Sequence, residues 1–219
     1  MYKNNADRAR FNMVHQQIQT WNVFDDRVLD VLSDVPREDF LPEAYRSMAY
    51  FDVEIPMEAE RPIPAPKIEA KMLQALAVQP GDNILEVGTG SGFVTACLAK
   101  MGGHVTSTVS SAERAESLNE QLDGFGIGNV SFAVANMLDE VPHGPYDAIV
   151  VNGSLHEHDE GLQKRLKIGG RLFVVVGEGP AMEACLITRV ESNEWQCDSL
   201  FETELPPFEE AAPTETFSF

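Results

Sequence analysis

The chain has 219 residues, with 35 acidic and 16 basic side chains and a formal net charge of −19. This length suits one domain with a substantial core. Nucleic acids and anionic membranes recruit Lys and Arg, so the acidity and the lack of a Lys/Arg cluster argue against both as partners. No apolar run approaches the roughly 18–20 residues that span a bilayer, and the polar amino terminus lacks the apolar centre of a signal peptide. We therefore expect a cytosolic protein.

The amino-terminal part, 1–79, is predicted to be helical and to end in a proline-rich connector. Apolar residues recur at helical spacing over 5–21 and again over 26–32. Four prolines fall within 51–66, where they remove backbone donors and favour an extended connector or a loop. The next helix is predicted over 67–77. The last of these prolines, Pro66, directly precedes this range and can serve as the first residue of the helix.

Within 80–205, short apolar strands alternate with helices. Such alternation predicts an α/β fold with a parallel sheet covered on both faces. The predicted strands are 83–87, 104–109, 130–134, 146–151 and 171–176, and the predicted helices are 92–101, 112–125 and 160–166.

Two further strands, 183–190 and 195–204, follow each other directly around a turn and predict an antiparallel hairpin. Residues 206–219 form an acidic, proline-containing tail, with Phe217 and Phe219 as candidate docking points. We expect the whole chain to form a single domain.

The three cysteines, Cys97, Cys185 and Cys197, are far apart and lack CxxC spacing. This usage argues against a disulfide framework and against structural zinc. Cys97 lies in a predicted helix and Cys185 in an apolar strand, so we expect both side chains in the core.

The most informative segment is the glycine-rich run LEVGTGSGF at 85–93, where the first predicted strand ends and a helix begins. Glycines let the backbone turn sharply and let a ligand approach closely, and a helix start offers unpaired N–H groups. At this position the run predicts a site for a nucleoside ligand. The residues predicted to form it are Glu86, Val87, Gly88, Thr89, Gly90, Ser91 and Gly92.

A nicotinamide-dinucleotide site is the main alternative. Its fingerprint is GxGxxG, with a carboxylate roughly 20 residues further on. Here the spacing is GxGxG, and the second strand ends in TSTVS at 106–110, with no acid before Glu113. A glycine turn that serves packing alone is a third interpretation.

Several motifs together resemble the protein-L-isoaspartate O-methyltransferase family. Residues 35–42, VPREDFLP, are similar to the family signature VPRExFVP, and 85–93 to its adenosylmethionine motif. PYDAIV at 145–150 and LKIGGRL at 166–172 resemble its later motifs. The similarity begins near Phe11, and the Phe-Ser-Phe ending resembles a bacterial subgroup.

The resemblance implies a class I S-adenosylmethionine-dependent methyltransferase fold: a doubly wound, mostly parallel Rossmann-like sheet with a C-terminal antiparallel hairpin and N-terminal helices. It implies methyl transfer from S-adenosylmethionine, leaving S-adenosylhomocysteine, to a carboxylate of damaged aspartyl residues, a protein-repair reaction. The partner is then a protein or peptide with isoaspartyl residues. Besides the glycine run, the implied cofactor contacts are Ser110, Asn136, Met137 and Asn152.

The chain departs from the family pattern at three places. Pro62 and Pro64 stand where the family's GQTIS stretch has Thr and Ser, and proline has neither hydroxyl nor N–H. Val109, followed by Ser110, stands where an acid usually binds both ribose hydroxyls. Asn136 replaces an acid near the adenine, a milder change because Asn also accepts hydrogen bonds.

These replacements leave three hypotheses open. The first is an active isoaspartyl carboxyl methyltransferase. The second is a methyltransferase-like protein that binds the cofactor weakly and modifies another acceptor. The third is a non-catalytic interaction module that keeps the fold.

The run HEHDE at 156–160 has two interpretations. It can be a metal site, or an exposed loop whose acids favour a helix start through the helix dipole. Two spaced histidines do not define zinc geometry, so no metal site is expected. His156 follows the fourth strand, where such folds bind ligands, and is a candidate for the substrate cleft.

Overall fold

The computed structural model describes residues 5–57 and 61–208, which include a seven-stranded sheet. The strands are β1 (Asn83–Val87), β2 (His104–Val109), β3 (Val130–Val134), β4 (Tyr146–Leu155), β5 (Leu166–Glu178), β6 (Ala181–Glu191) and β7 (Glu194–Glu202). They form one sheet in the order β3-β2-β1-β4-β5-β6-β7. The pairs from β3 to β5 are parallel, and β6 and β7 add to the edge in antiparallel fashion. The predicted parallel sheet with a C-terminal hairpin is confirmed.

Helices cover both faces of this sheet. They are α1 (Asn5–Asn12), α2 (Asp26–Asp34), α3 (Pro66–Leu76), α4 (Phe93–Met101), α5 (Ala112–Gly124) and α6 (Glu160–Lys164). One apolar cluster joins the amino-terminal helices, α3 and α4 to one face of the sheet, and a second cluster lies on the opposite face. In the described ranges, no helix combines the length and the apolar character needed to cross a membrane.

The predicted helix over 5–21 is interrupted. α1 ends at Asn12, and the chain continues as a π-helical turn, Met13–Gln17, and a 3₁₀ turn, Ile18–Trp21. α1 has no buried residue, whereas Met13, Val14 and Ile18 are buried. The change of helix type therefore coincides with the point where the segment enters the core.

In its described parts, 51–57 and 61–65, the proline-rich connector is non-helical, as predicted. Ile55 and Ile63 form an antiparallel bridge, with N–H to carbonyl distances of 2.9 and 2.8 Å. Pro66 is at the start of α3, where its missing N–H costs no helical hydrogen bond. Cys97 and Cys185 are buried, which also matches the prediction.

A buried ion pair joins the VPREDF segment to the connector and to α3. Arg37 is 1% exposed and donates from Nε to Glu69 at 2.9 Å. Its two terminal nitrogens donate to the carbonyls of Ala49 at 2.8 Å and Pro64 at 2.7 Å. Burial raises the pKa of the Glu69 carboxyl, and Arg37 opposes that shift. Arg37 thereby helps to fix the position of Pro64, one of the prolines that border the site described below.

Replacing Arg37 with Met is expected to lower the free energy of unfolding by about 3–5 kcal/mol, because Glu69 is then buried without its partner. Urea denaturation followed by circular dichroism measures this. The double variant Arg37→Met/Glu69→Met is the control. Its free energy of unfolding should fall by less than that of the single variant, because no buried charge is left. A single variant within about 1 kcal/mol of the unmodified protein contradicts the assignment.

Candidate functional site

The glycine run forms a tight loop between β1 and α4. Gly88, Gly90 and Gly92 have φ values of 84°, 56° and 89°, a region that glycine occupies without steric cost. A β-carbon at Gly92 would stand 2.8 Å from Leu118, whereas one at Gly90 would meet nothing within 4 Å. The loop thus packs against the protein at Gly92 and faces open space at Gly90.

Hydrogen bonds from neighbouring strands and from α5 hold this loop in place. The N–H of Gly88 donates to Oγ1 of Thr108 at 2.7 Å, and the N–H of Thr89 to the carbonyl of Thr108 at 2.9 Å. The carbonyl of Gly88 accepts from Nδ2 of Asn152 at 2.8 Å, and that of Gly90 from Arg114 at 2.6 Å. The loop is therefore preorganised at the carboxyl ends of β1, β2 and β4.

Glu86 lies directly beneath the loop and is fully buried. Its carboxylate accepts from Thr95 at 2.6 Å, from Ser107 at 2.7 Å and from Asn152 at 2.8 Å. Burial raises the pKa of Glu86 to about 7, and these three donors oppose the shift. Since Asn152 also binds Gly88, the carboxylate positions the loop through a shared partner.

Two cavities adjoin the glycine loop. The β4-side cavity lies between the loop and the end of β4, and the larger β2-side cavity lies between the loop and the end of β2. Gly88, Thr89 and Gly90 line both, so the loop forms a shared wall.

The β4-side cavity is mostly apolar. It is bordered by the connector, α3 and the end of β4, and Pro62, Pro64, Ser91 and Asn152 all line it. The remaining lining residues are Arg61, Ile63, Ile68, Glu69, Met72, Val94, Val151, Gly153, Phe173, Leu205 and Pro206. The structure therefore brings the two proline positions and the glycine loop to one cavity.

The β2-side cavity lies at the ends of β2 and β3. Val109, Ser110 and Asn136 line it, together with Arg61 and Arg114. Among the described residues, no carboxylate lines this cavity. Where an acid is expected to bind ribose, the chain thus has the buried Val109, followed by the exposed Ser110.

A family model described as protein-L-isoaspartate(D-aspartate) O-methyltransferase (PCMT) matches residues 8–206. The chain belongs to this family. A protein-L-isoaspartate O-methyltransferase of Rhodopseudomonas palustris (strain ATCC BAA-98 / CGA009) is 39% identical over 197 residues, covering 89% of this chain and 90% of the relative. Protein-L-isoaspartate O-methyltransferase 1 of Geotalea uraniireducens (strain Rf4) is 32% identical over 216 residues, covering 96% of each.

Solved structures show the same fold. A Plasmodium falciparum structure in complex with S-adenosyl-L-homocysteine, described as a candidate protein-L-isoaspartate O-methyltransferase, has a TM-score of 0.76 at 22% identity and covers 95% of this chain and 100% of that chain. A second structure named protein-L-isoaspartate O-methyltransferase has a TM-score of 0.75 at 24% identity, covering 90% of this chain and 65% of that chain. The predicted Rossmann-like methyltransferase fold is thus confirmed.

Five of the predicted site residues do not line either cavity in the described part of the chain. Three of them support the loop from beneath or from its far end, namely Glu86, Val87 and Gly92. Met137 is 49% exposed, and its N–H donates to Glu140 at 3.2 Å. The fifth residue is His156.

The HEHDE segment lies beside α6. The His156 side chain is 70% exposed and lies 2.6 Å from Glu178. Asp159 accepts from the N–H of Leu162 at 2.6 Å and caps the helix start, in agreement with the helix-start interpretation. In the described ranges, no group of three or more His, Cys, Asp or Glu residues has the arrangement of a metal site.

Sequence reasoning missed the segment that follows β7. The N–H of Phe208 donates to the carbonyl of Ser154 at 2.9 Å, and the N–H of Ser154 donates to the carbonyl of Pro206 at 2.9 Å. Pro206 and Phe208 therefore lie along the end of β4 and line the cavities. Their only sequence signal is their place in the tail; Phe217 and Phe219 lie outside the described residues.

The stability of the protein relative to its Glu86→Gln variant is expected to fall as the pH rises. The raised pKa means that the folded protein binds the Glu86 proton more tightly than the unfolded chain, and this advantage is lost between about pH 4.5 and 7. We expect a loss of roughly 2–3 kcal/mol between acidic and mildly alkaline pH.

Urea denaturation at pH 5 and pH 8 measures that difference. Glu157→Gln, at an exposed glutamate, is the matched control. Its difference in the free energy of unfolding from the unmodified protein should be the same at both pH values. Equal differences at the two pH values for Glu86→Gln would show that the pKa of this carboxyl is not raised.

Proposed function

We propose that this chain transfers a methyl group from S-adenosylmethionine to the carboxylate of isoaspartyl residues in proteins or peptides. One observation supports this most directly. The glycine loop lies between two cavities at the carboxyl ends of the strands, where α/β folds bind ligands, in a chain that belongs to the PCMT family. The proposal includes repair of damaged proteins as the role and the cytosol as the location. The free thiols of the three cysteines fit that reducing compartment.

The residues present fit a nucleoside cofactor. A β-carbon at Gly90 would project into open space, and the loop backbone is fixed by its hydrogen bonds. Ser110 and Asn136 offer donors and acceptors in the β2-side cavity. Without an acid at Val109, we expect the ribose to be held less tightly, by roughly tenfold to a hundredfold in affinity.

The reaction asks little of side-chain chemistry, because a carboxylate is already ionised at neutral pH and needs no general base. The bound cofactor supplies an electrophilic methyl group. The protein must align the reacting atoms and exclude water. In the β4-side cavity, Pro62, Pro64 and Phe173 provide an apolar wall for this purpose. Orientation then depends on shape more than on hydroxyl groups.

The purified protein is expected to methylate an isoaspartyl peptide and to leave the same peptide with normal aspartate unmodified. Incorporation of labelled methyl groups as a base-labile ester, released as methanol, measures the reaction. No labelled ester on the isoaspartyl peptide at saturating S-adenosylmethionine would overturn the proposed function.

Gly90→Ala is expected to weaken binding of S-adenosylhomocysteine by at least about tenfold, because the added methyl group enters the space shared by both cavities. Isothermal titration calorimetry measures the affinity. Gly126→Ala is the matched control. Gly126 has φ 70° and lines neither cavity, and a β-carbon added there would meet nothing within 4 Å. Both variants should lose about 1 kcal/mol of stability through backbone strain, and equal affinities in the two would contradict the prediction.

A further inference from the structure

We infer that the β4-side cavity binds an apolar side chain of the acceptor, so that the substrate is an isoaspartyl residue with an apolar neighbour in the peptide chain. The inference rests on the proposed methyl transfer and names the kind of sequence around its acceptor. It follows from the lining of the cavity and from the position of the cavity against the glycine loop.

Most of the wall of the β4-side cavity consists of apolar side chains. They come from the connector, from α3 and α4, from β4 and β5, and from the segment after β7, namely Pro62, Ile63, Pro64, Ile68, Met72, Val94, Val151, Phe173, Leu205 and Pro206. Burial of an apolar group against such a wall is favourable. A polar group that enters the cavity loses its water and needs a new hydrogen-bond partner there.

Two of the polar side chains that line this cavity are bound to the protein itself. Nδ2 of Asn152 donates to Glu86 at 2.8 Å and to the carbonyl of Gly88 at 2.8 Å, which uses both hydrogens of the amide. Arg61 donates to the carbonyl of Phe208 at 2.8 Å and to the carbonyl of Asn152 at 3.3 Å. These groups serve to hold the walls together.

The other polar side chains of the described lining also have partners inside the protein. The Ser91 hydroxyl accepts from the N–H of Phe93 at 3.3 Å, and the Thr89 hydroxyl is hydrogen-bonded to that of Ser107. Glu69 belongs to the buried ion pair of the amino-terminal half. The chemistry of this cavity therefore favours an apolar occupant.

The cofactor does not supply such an occupant. Its nucleoside part suits the β2-side cavity, where Thr108, Ser110 and Asn136 bring polar side chains to the wall. Its amino-acid part carries an ammonium and a carboxylate, and burying either among apolar side chains is costly. The apolar group must then come from the acceptor.

An acceptor peptide places a side chain within reach of this cavity. Gly88, Thr89 and Gly90 line both cavities, so a carboxylate that receives a methyl group at the loop lies at the border of the β4-side cavity. Adjacent α-carbons of a peptide are only about 3.8 Å apart. The residue next to the isoaspartyl residue can therefore insert its side chain between the connector and α3.

Two series of isoaspartyl peptides test this, with Val or Thr directly before the isoaspartyl residue in one series and directly after it in the other. Val and Thr have nearly the same shape and differ by a hydroxyl group. At one of the two positions, kcat/KM is expected to be roughly tenfold or more higher for Val, because the Thr hydroxyl would be buried without a partner. Incorporation of labelled methyl groups measures the rates.

Ile68→Asn makes the wall polar and locates the preference. Ile68 is half-buried and lines the β4-side cavity but not the β2-side cavity. An amide at this position offers the Thr hydroxyl a partner, so the Val/Thr ratio of kcat/KM should fall by about threefold or more. Ile168→Asn is the matched control, because Ile168 is 62% exposed and lines neither cavity, and it should keep the ratio of the unmodified protein.

Circular dichroism melting shows whether each variant is folded. If Ile68→Asn does not fold, Val94→Thr changes the same wall without changing its shape and should also lower the ratio. A Val preference that neither variant lowers would overturn the inference, because the preference would then arise outside this cavity.

Equal kcat/KM for Val and Thr at both positions, or a preference for Thr, would also overturn the inference and would leave the proposed function intact. If no isoaspartyl peptide of either series is methylated by the unmodified protein, the proposed function fails, and this inference fails with it.

Discussion

The Arg37–Glu69 ion pair determines where the border of the site can lie. A guanidinium removed from water must have all its charge compensated, and here Glu69 and the carbonyls of Ala49 and Pro64 compensate it. These partners belong to α3, to the segment before the connector and to the connector itself. The pair therefore ties three separate parts of the amino-terminal half to one point, and the connector cannot shift without breaking it.

On the sheet side, Glu86 has the corresponding role. It connects α4, β2 and β4 through Thr95, Ser107 and Asn152, and Asn152 passes the constraint to the carbonyl of Gly88. The site thus lies between two rigid supports, each built around a buried carboxylate. Rigid supports on both sides suit a reaction that depends on alignment rather than on proton transfer.

The sheet and the glycine loop were predictable because their signals are local. Strand length, apolar runs and GxGxG spacing depend on neighbouring residues, and β1, β2 and β3 begin and end where predicted. The role of Arg37 was not predictable, since its partner Glu69 lies 32 residues away. Arg61 was missed for the same reason: its anchors, Asn152 and Phe208, are 91 and 147 residues distant. Contacts at such separations leave no periodic pattern in a single sequence.

The bridge between Ser154 and Pro207 has a consequence for the order in which the molecule can be completed. Leu205 to Phe208 follow all seven strands along the chain, yet they wall both cavities and anchor Arg61. During synthesis on the ribosome, the whole sheet emerges before these residues do. A nascent chain that has just released β7 still lacks Leu205 and Phe208, which belong to the two apolar clusters, and the walls of both cavities are unfinished. The walls of both cavities are therefore completed by the last part of the described chain to be synthesised.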